Sequence, residues 1–388
     1  MSLKIAYISD ERFPSIHTDT QQVMKTIDAL GKAGVRVDFI QPRMWQHRGK
    51  SIDARMRDIC EYYNIEGHFR IRDIPFWPAS DLRAEKLFHG ILAPIKALMG
   101  KYDVVYTRNI IPLFLTSRLG VPTLFETYRA LPDTNPKIFR IVKKASLKRG
   151  FIGLSTHSEY ARQVMVDNGI AAEKIKTIPN GYDPREHAQL PDRDAARRAL
   201  NLPADEKIIA YTGQIRADKG VAALLDTAEA CPETTMLIVG GSVSEVAELQ
   251  KAAVQRQLSN VRLVSQIPIR EVPTYLAAAD ILILPPSSLP LQSATVLPMK
   301  TFTYMAAGKP IVAPEQPDTR GVLIHERNCL TVPPDMPSAT AVAIRRILSS
   351  PSLARELSDN ARQDATQYTW DGRAAKVIAF VKEKLARS

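Results

Sequence analysis

Lys207-Ile208-Ile209-Ala210-Tyr211-Thr212-Gly213-Gln214-Ile215-Arg216-Ala217-Asp218-Lys219-Gly220 decides how the second half of this chain is read. A short, nearly all-apolar run ends in a glycine loop. Val221, Leu224, Leu225 and Ala228 then recur at helical spacing. That pattern is a buried strand feeding a helix. Similar apolar runs follow at Thr235–Val239, Val261–Val264, Ile281–Leu284 and Pro310–Ala313. The first half has its own series at Leu3–Ser9, Val35–Ile40, Asp103–Thr107, Thr123–Glu126, Phe151–Ser155 and Lys176–Ile178. Val23, Ile27 and Leu30 mark one of the helices between them. Short β-branched strands alternating with helices predict an α/β chain with parallel sheets covered on both faces.

The rhythm restarts near residue 205. Gly181-Tyr182-Asp183-Pro184 and the polar stretch Arg185 to Asp194 read as a linker between two doubly wound, Rossmann-like domains. The expected division is 1–183, with the C-terminal helix of 369–388 packed back on it, and 184–368. Val377, Phe380, Val381 and Leu385 form one apolar face of that last helix. Two such sheets leave a cleft at the carboxyl ends of their strands, where open α/β sheets bind ligands.

The chain has 388 residues, 45% hydrophobic and 24% charged, which is the mix of a soluble globular protein with room for two cores. No apolar run approaches the ~18 residues of a membrane-spanning helix. Met1-Ser2-Leu3-Lys4-Ile5 enters a strand at once, so no secretion leader is expected. Cys60, Cys231 and Cys329 are odd in number and lack metal-ligand spacing, which predicts reduced thiols in a cytoplasmic protein. The net charge of +11 is uneven, with +10 in residues 1–180 and +1 in 181–388. Its densest clusters are Arg43, Arg48 and Lys50, then Lys143, Lys144, Lys148 and Arg149. Either the basic half faces an anionic membrane surface, at the inner face, or these are solvated charges. No nucleic-acid-binding motif accompanies them, so no nucleic-acid partner is expected.

Three stretches carry chemistry. After Gly213, a helix opens beyond Lys219-Gly220. Its N-terminal amides, with Arg216 and Lys219 beside them, suit a diphosphate; an ordinary strand–helix turn is the alternative. Pro298 to Gly308 is a helix feeding a buried strand, and the amides of Met299, Lys300, Thr301 and Phe302 would point into the cleft with the Lys300 cation. Pro179-Asn180-Gly181-Tyr182-Asp183 is a strand followed by a turn. No Gly-x-Gly-x-x-Gly or Walker loop is present.

Together these stretches, with Leu237–Gly241, Tyr275–Pro285 and Lys300–Ala313 in order, resemble the family 4 glycosyltransferases, the "group 1" type with the GT-B fold. The resemblance covers essentially the whole chain. It implies a retaining transfer of a sugar from a nucleoside diphosphate sugar to a glycan or lipid-linked acceptor in envelope or exopolysaccharide synthesis. It also implies no cofactor and no metal. By that resemblance Lys219, assisted by Arg216, neutralises the leaving diphosphate. Gly240 and Gly241 line the floor near the nucleotide, Gly213 and Gln214 also bind the donor, and Ser265, Gln266 and Ile267 follow a strand at the position that holds the base. Residues Met299 to Thr303 hold phosphates and sugar.

Several positions depart from the family pattern. Gln214 stands where an arginine is usual, Thr303 where a glutamate binds the ribose, Thr295 where a second glutamate is common, and Tyr128 where a histidine ends the N-terminal cleft strand. Glu126 is expected at that strand's carboxyl end, facing the cleft as a catalytic group, with Tyr128 as another. Ser15, His17 and Thr18, in a Pro-Ser, hydroxyl-rich loop, are the expected acceptor or sugar contacts. His157, at another strand end, reads equally as a turn residue. A catalytically degenerate binding protein is the rival reading, and a GT-B sugar-nucleotide epimerase, which needs more cleft carboxylates and histidines, a third.

Overall fold

A computed structural model describes residues 2–43, 47, 49–75, 84–216, 219–288 and 297–387. Arg48, Ala217, Asp218 and Thr295 lie outside them. The chain forms two compact units, Met1–Asn180 with Trp370–Ser388, and Gly181–Thr369.

The N-terminal unit is built on β1 (Lys4–Ile8), β2 (Arg36–Arg43), β3 (Arg70–Pro75), β4 (Val104–Thr107), β5 (Thr123–Thr127), β6 (Phe151–Thr156) and β7 (Ile175–Thr177). They form one seven-stranded sheet in the order β3-β2-β1-β4-β5-β6-β7, parallel at every pair. β1, β4, β5 and β6 are buried almost throughout, which is why they read as continuous apolar runs. β3 was not expected. It lies at the sheet edge, where exposed Arg70 and Arg72 flank buried Ile71 and a charged strand is tolerated.

The C-terminal unit carries β8 (Ile208–Thr212), β9 (Thr235–Val239), β10 (Val261–Val264), β11 (Ile281–Ile283), β12 (Ile311–Pro314) and β13 (Leu330–Val332). Their order is β10-β9-β8-β11-β12-β13, again all parallel. β13, a three-residue edge strand, also escapes sequence patterning. In each sheet the order reverses beside the first strand, at β1/β4 and at β8/β11. Such reversal points are where open sheets place ligands.

The polar stretch from Arg185 to Asp194 is not an extended linker. Asp183 caps a helix over Pro184–His187 and Asp192 caps another over Arg193–Ala199, each accepting a backbone N–H, and both belong to the C-terminal unit. The last helix, Trp370–Ala386, belongs to the N-terminal unit. There Val377, Phe380 and Val381 are buried, and Gly153 in β6 leaves room for the Phe380 ring.

Candidate functional site

The expected site residues fall into two sets, one in each unit. In the C-terminal unit the loops after β8, β9 and β10 are stitched together by backbone bonds. Gly213 N–H donates to the Val239 carbonyl, Gly240 N–H to that of Val264, and Gln266 N–H to that of Gly241, each at 2.8 Å. The approach of the first two loops requires glycine: a Cβ on Gly240 would lie 2.0 Å from the Gly213 carbonyl oxygen, and Gly240 has φ +131. Tyr211 Oη donates to the Gln214 carbonyl at 2.9 Å and holds the turn. Tyr304, from the helix Lys300–Ala307, accepts the Thr212 N–H at 2.8 Å and ties that helix to the end of β8.

On this platform sit two ammonium groups. The Lys300 Nζ lies 3.7 Å from the centroid of the Tyr211 ring, a cation–π contact that also closes over Gly213. Burial, and then the neighbouring Lys219 charge, push the Lys300 ammonium well below its ordinary pKa. Among the described residues no carboxylate acts on the Lys300 charge, only burial and Lys219. The Lys300 ammonium over the Tyr211 ring, with the Lys219 charge acting on it, makes a place that gains from an anion. Arg216 is exposed one turn before Lys219, whose N–H donates to the Arg216 carbonyl at 2.9 Å.

The helix-start amides contribute less than the sequence implies. Thr301 N–H donates to the Pro298 carbonyl at 3.1 Å and Phe302 N–H to that of Met299 at 3.2 Å. Ala223 and Leu224 are likewise bonded back to Gly220 and Val221. Both first turns are tightened to i→i+3 pairing, which consumes donors that an open α-helical start would present. The helix itself begins at Lys300, so Pro298 precedes its N-cap Met299 and is not its first residue. Thr303 donates its hydroxyl to the Lys300 carbonyl at 2.9 Å, within its own helix. Gln266 is exposed, and Ile267 is half-buried against the core.

In the N-terminal unit Glu126 differs from expectation. It does not present a free carboxylate: the side chain is 0% exposed. The Arg373 guanidinium lies 2.9 Å away, His157 Nε2 donates at 2.7 Å, Gln22 Nε2 at 2.8 Å, and the Tyr106 hydroxyl bonds the other oxygen. Burial pushes this carboxyl up, but Arg373, His157 and Arg108 outweigh it and hold it well below the carboxylate range. The opposite charges of Glu126 and Arg373 lie together in the interior, so Glu126 is a strut between β5 and the last helix. His157, in the bend after β6, is buried and part of that strut. Burial lowers it to about 4 against the pull of Glu126, leaving a neutral ring whose Nδ1 accepts from Asn180 at 3.3 Å. No local signal in the sequence marks Arg373, 247 positions from Glu126 (373 less 126), as its partner.

Beside this buried group, Tyr128 follows β5 with the guanidinium carbons of Arg108 and Arg129 at 4.9 and 5.1 Å from its ring centroid. Arg108 also donates to the Gln22 side chain at 2.8 Å. Ser15 is fastened by its N–H to Tyr63 Oη at 2.8 Å, while His17 and Thr18 begin the helix Thr18–Lys32 and are exposed. His17 is its N-cap residue without a side-chain cap bond.

The profile described as "Glycosyl transferases group 1" matches residues 192–364, and that described as "Glycosyltransferase Family 4" matches 20–186. An uncharacterized glycosyltransferase of Methanocaldococcus jannaschii is 24% identical over 84% of this chain and 87% of its own length. A putative colanic acid biosynthesis glycosyl transferase of Escherichia coli K12 is 26% identical over 53% of this chain and 52% of its own. Among solved structures, Anabaena HepE in complex with UDP superposes with a TM-score of 0.78 at 16% identity, over 98% of this chain and 100% of that one. The likeness establishes the GT-B fold.

Proposed function

The chain belongs to the group 1 glycosyltransferases of family 4, and from that premise we propose that it moves a sugar, with retention, from a nucleoside diphosphate sugar to a glycan or lipid-linked acceptor. One observation carries the donor reading: the Lys219 and Lys300 ammonium groups beside the glycine-stitched loops of β8 and β9. A diphosphate between them relieves their mutual repulsion, and the charge that grows on the leaving group during transfer strengthens the contact. Arg216 assists at the rim. Gly213, Gln214, Gly240 and Gly241 form the floor, Gln266 and Ile267 flank the base, and Met299 and Lys300 supply the amides. In this reading the lysines supply the charge that a metal ion supplies elsewhere, and no cofactor takes part. Ser15, His17, Thr18 and Tyr128 meet the sugar or acceptor, with Glu126 as a positioning residue beneath them. The colanic acid relative and the basic N-terminal unit support a role in envelope or exopolysaccharide synthesis at the cytoplasmic membrane face.

The test is a thermal-shift and calorimetric screen of UDP-, GDP- and ADP-sugars. A true donor at ~100 times its dissociation constant stabilises the chain by ~2.7 kcal/mol. Lys300→Met and Lys219→Met are each expected to weaken the diphosphate at least tenfold while leaving the free nucleoside unaffected. Affinity for the diphosphate should fall as pH rises through the depressed Lys300 value, and Lys300→Met should flatten that slope. No stabilisation by any nucleotide sugar would overturn the donor reading. The Thr303 hydroxyl, which donates to the Lys300 carbonyl within its own helix, favours a second reading, binding without turnover. Binding with neither donor hydrolysis nor transfer to any acceptor selects it.

A further inference from the structure

The helix Ala84–Met99 in the N-terminal unit is inside out. Its buried face is made of small groups: Gly90, Ala93 and Ala97, with His89. Gly90 brings it against Ile111 of the neighbouring helix, where a Cβ would sit 2.9 Å from the Ile111 Cβ. Its large apolar side chains point outward. Leu87, Phe88, Ile91, Leu92, Ile95 and Leu98 are 42% to 57% exposed, and Met99 at the end is 80% exposed. At 100° per residue these positions fall in one stripe about 140° wide. An amphipathic helix in water buries such a stripe, and a large exposed apolar patch marks an interaction surface.

The neighbouring helices extend the surface. Ile110–Arg118 packs beside Ala84–Met99 and exposes Phe114 and Arg118, with Leu119 just after it. Pro136–Ser146 packs beside that one and exposes Lys137, Arg140, Lys143 and Lys144, followed by exposed Lys148 and Arg149. From Lys86 to Arg149 the chain has twelve Lys and Arg and three Asp and Glu. Of those acids, Asp103 accepts the Lys4 N–H, Glu126 is buried, and Asp133 accepts the Tyr160 hydroxyl. One helical layer thus offers an apolar stripe at one side and cations at the other.

We propose that this layer docks on an anionic lipid bilayer, the apolar stripe of Ala84–Met99 entering the headgroup–acyl boundary and the basic helix Pro136–Ser146 lying on the charged surface. Charge decides between this occupant and a second copy of the chain. A symmetric dimer through this face would bring like-charged surfaces together, whereas anionic lipid answers both the apolar and the basic parts. The inference is independent of which sugar is moved and deepens only the membrane-facing part of the reading above. It places the insertion element outside the two basic clusters that the sequence singles out.

The experiment is co-sedimentation of the full chain with neutral phosphatidylcholine vesicles and with vesicles containing 30% phosphatidylglycerol, alongside its mass in solution by light scattering. Wild type should bind the anionic vesicles at least tenfold better. Leu92→Asp with Ile95→Asp, at exposed positions that should not disturb the core, should abolish binding at any salt concentration. Lys143→Glu with Lys144→Glu should weaken it several-fold at low salt and less at high salt. Circular dichroism and nucleotide-sugar binding are expected to match wild type in both variants. Absent or lipid-indifferent binding by wild type, or unchanged binding by the Leu92/Ile95 variant, overturns the proposal and leaves the donor site standing. A wild-type dimer that this variant converts to monomer, with no vesicle binding, assigns the face to a second copy.

Discussion

A coupled pair of residues lies in the interior of the N-terminal unit. Glu126 and His157 share a hydrogen bond there, and each is shifted by burial and by its partners. His157 titrates near 4 in the folded chain and near 6.5 unfolded. Between those values the unfolded chain takes up a proton that the folded chain refuses, so stability falls as pH is lowered from 6.5 toward 4. Glu126 adds to the loss at lower pH: its depressed value contributes stability above 4.5 that disappears as pH falls through the folded value. Urea melts across this range should show a declining unfolding free energy. His157→Gln, which keeps a donor for Glu126 but cannot be protonated, should flatten the upper part of the curve. An unchanged slope would exclude His157 as its source.

At the scale of elements, the candidate donor site depends on loops rather than on helix starts. The contact of Gly213 with Gly240 leaves no room for a side chain, and the backbone of Gly240 lies where only glycine is comfortable. Gly240→Ala should destabilise the C-terminal unit by about 1–3 kcal/mol through strain and weaken nucleotide-sugar binding at least tenfold, since Gly213 carries the turn under Lys300. Full donor affinity with a normal melt would show that the two loops need not touch. The helix starts matter less because Thr301, Phe302, Ala223 and Leu224 are already satisfied by i→i+3 bonds. A proline ahead of a helix predicts its existence well and its first turn poorly, because that turn is set by the loop entering it.

At the scale of the molecule, the C-terminal helix completes the N-terminal unit. Arg373 reaches Glu126, the Thr26 hydroxyl at 3.1 Å and the Pro179 carbonyl at 2.9 Å. Arg373→Met would leave the Glu126 carboxylate buried without its main counter-charge, at a cost of about 3–5 kcal/mol. Differential scanning calorimetry should show the loss in the transition of the N-terminal unit, with nucleotide-sugar binding unaffected. A variant as stable as wild type would mean that the ion pair contributes nothing.

Sequence by itself determined the fold class, most strands and the glycine loop, because buried parallel strands are short apolar runs and their loops need glycine. The edge strands β3 and β13 stayed hidden, since β3 carries Arg70, Arg72 and Asp73 and β13 has only three residues. Three further facts belong to tertiary structure alone: Glu126 is sealed by Arg373, Lys300 lies over Tyr211, and the helix Ala84–Met99 turns its large side chains outward. Each depends on which groups from distant parts of the chain share a neighbourhood. Hydrophobic periodicity reveals that a helix has an apolar stripe, but only packing decides whether the core or the solvent receives it.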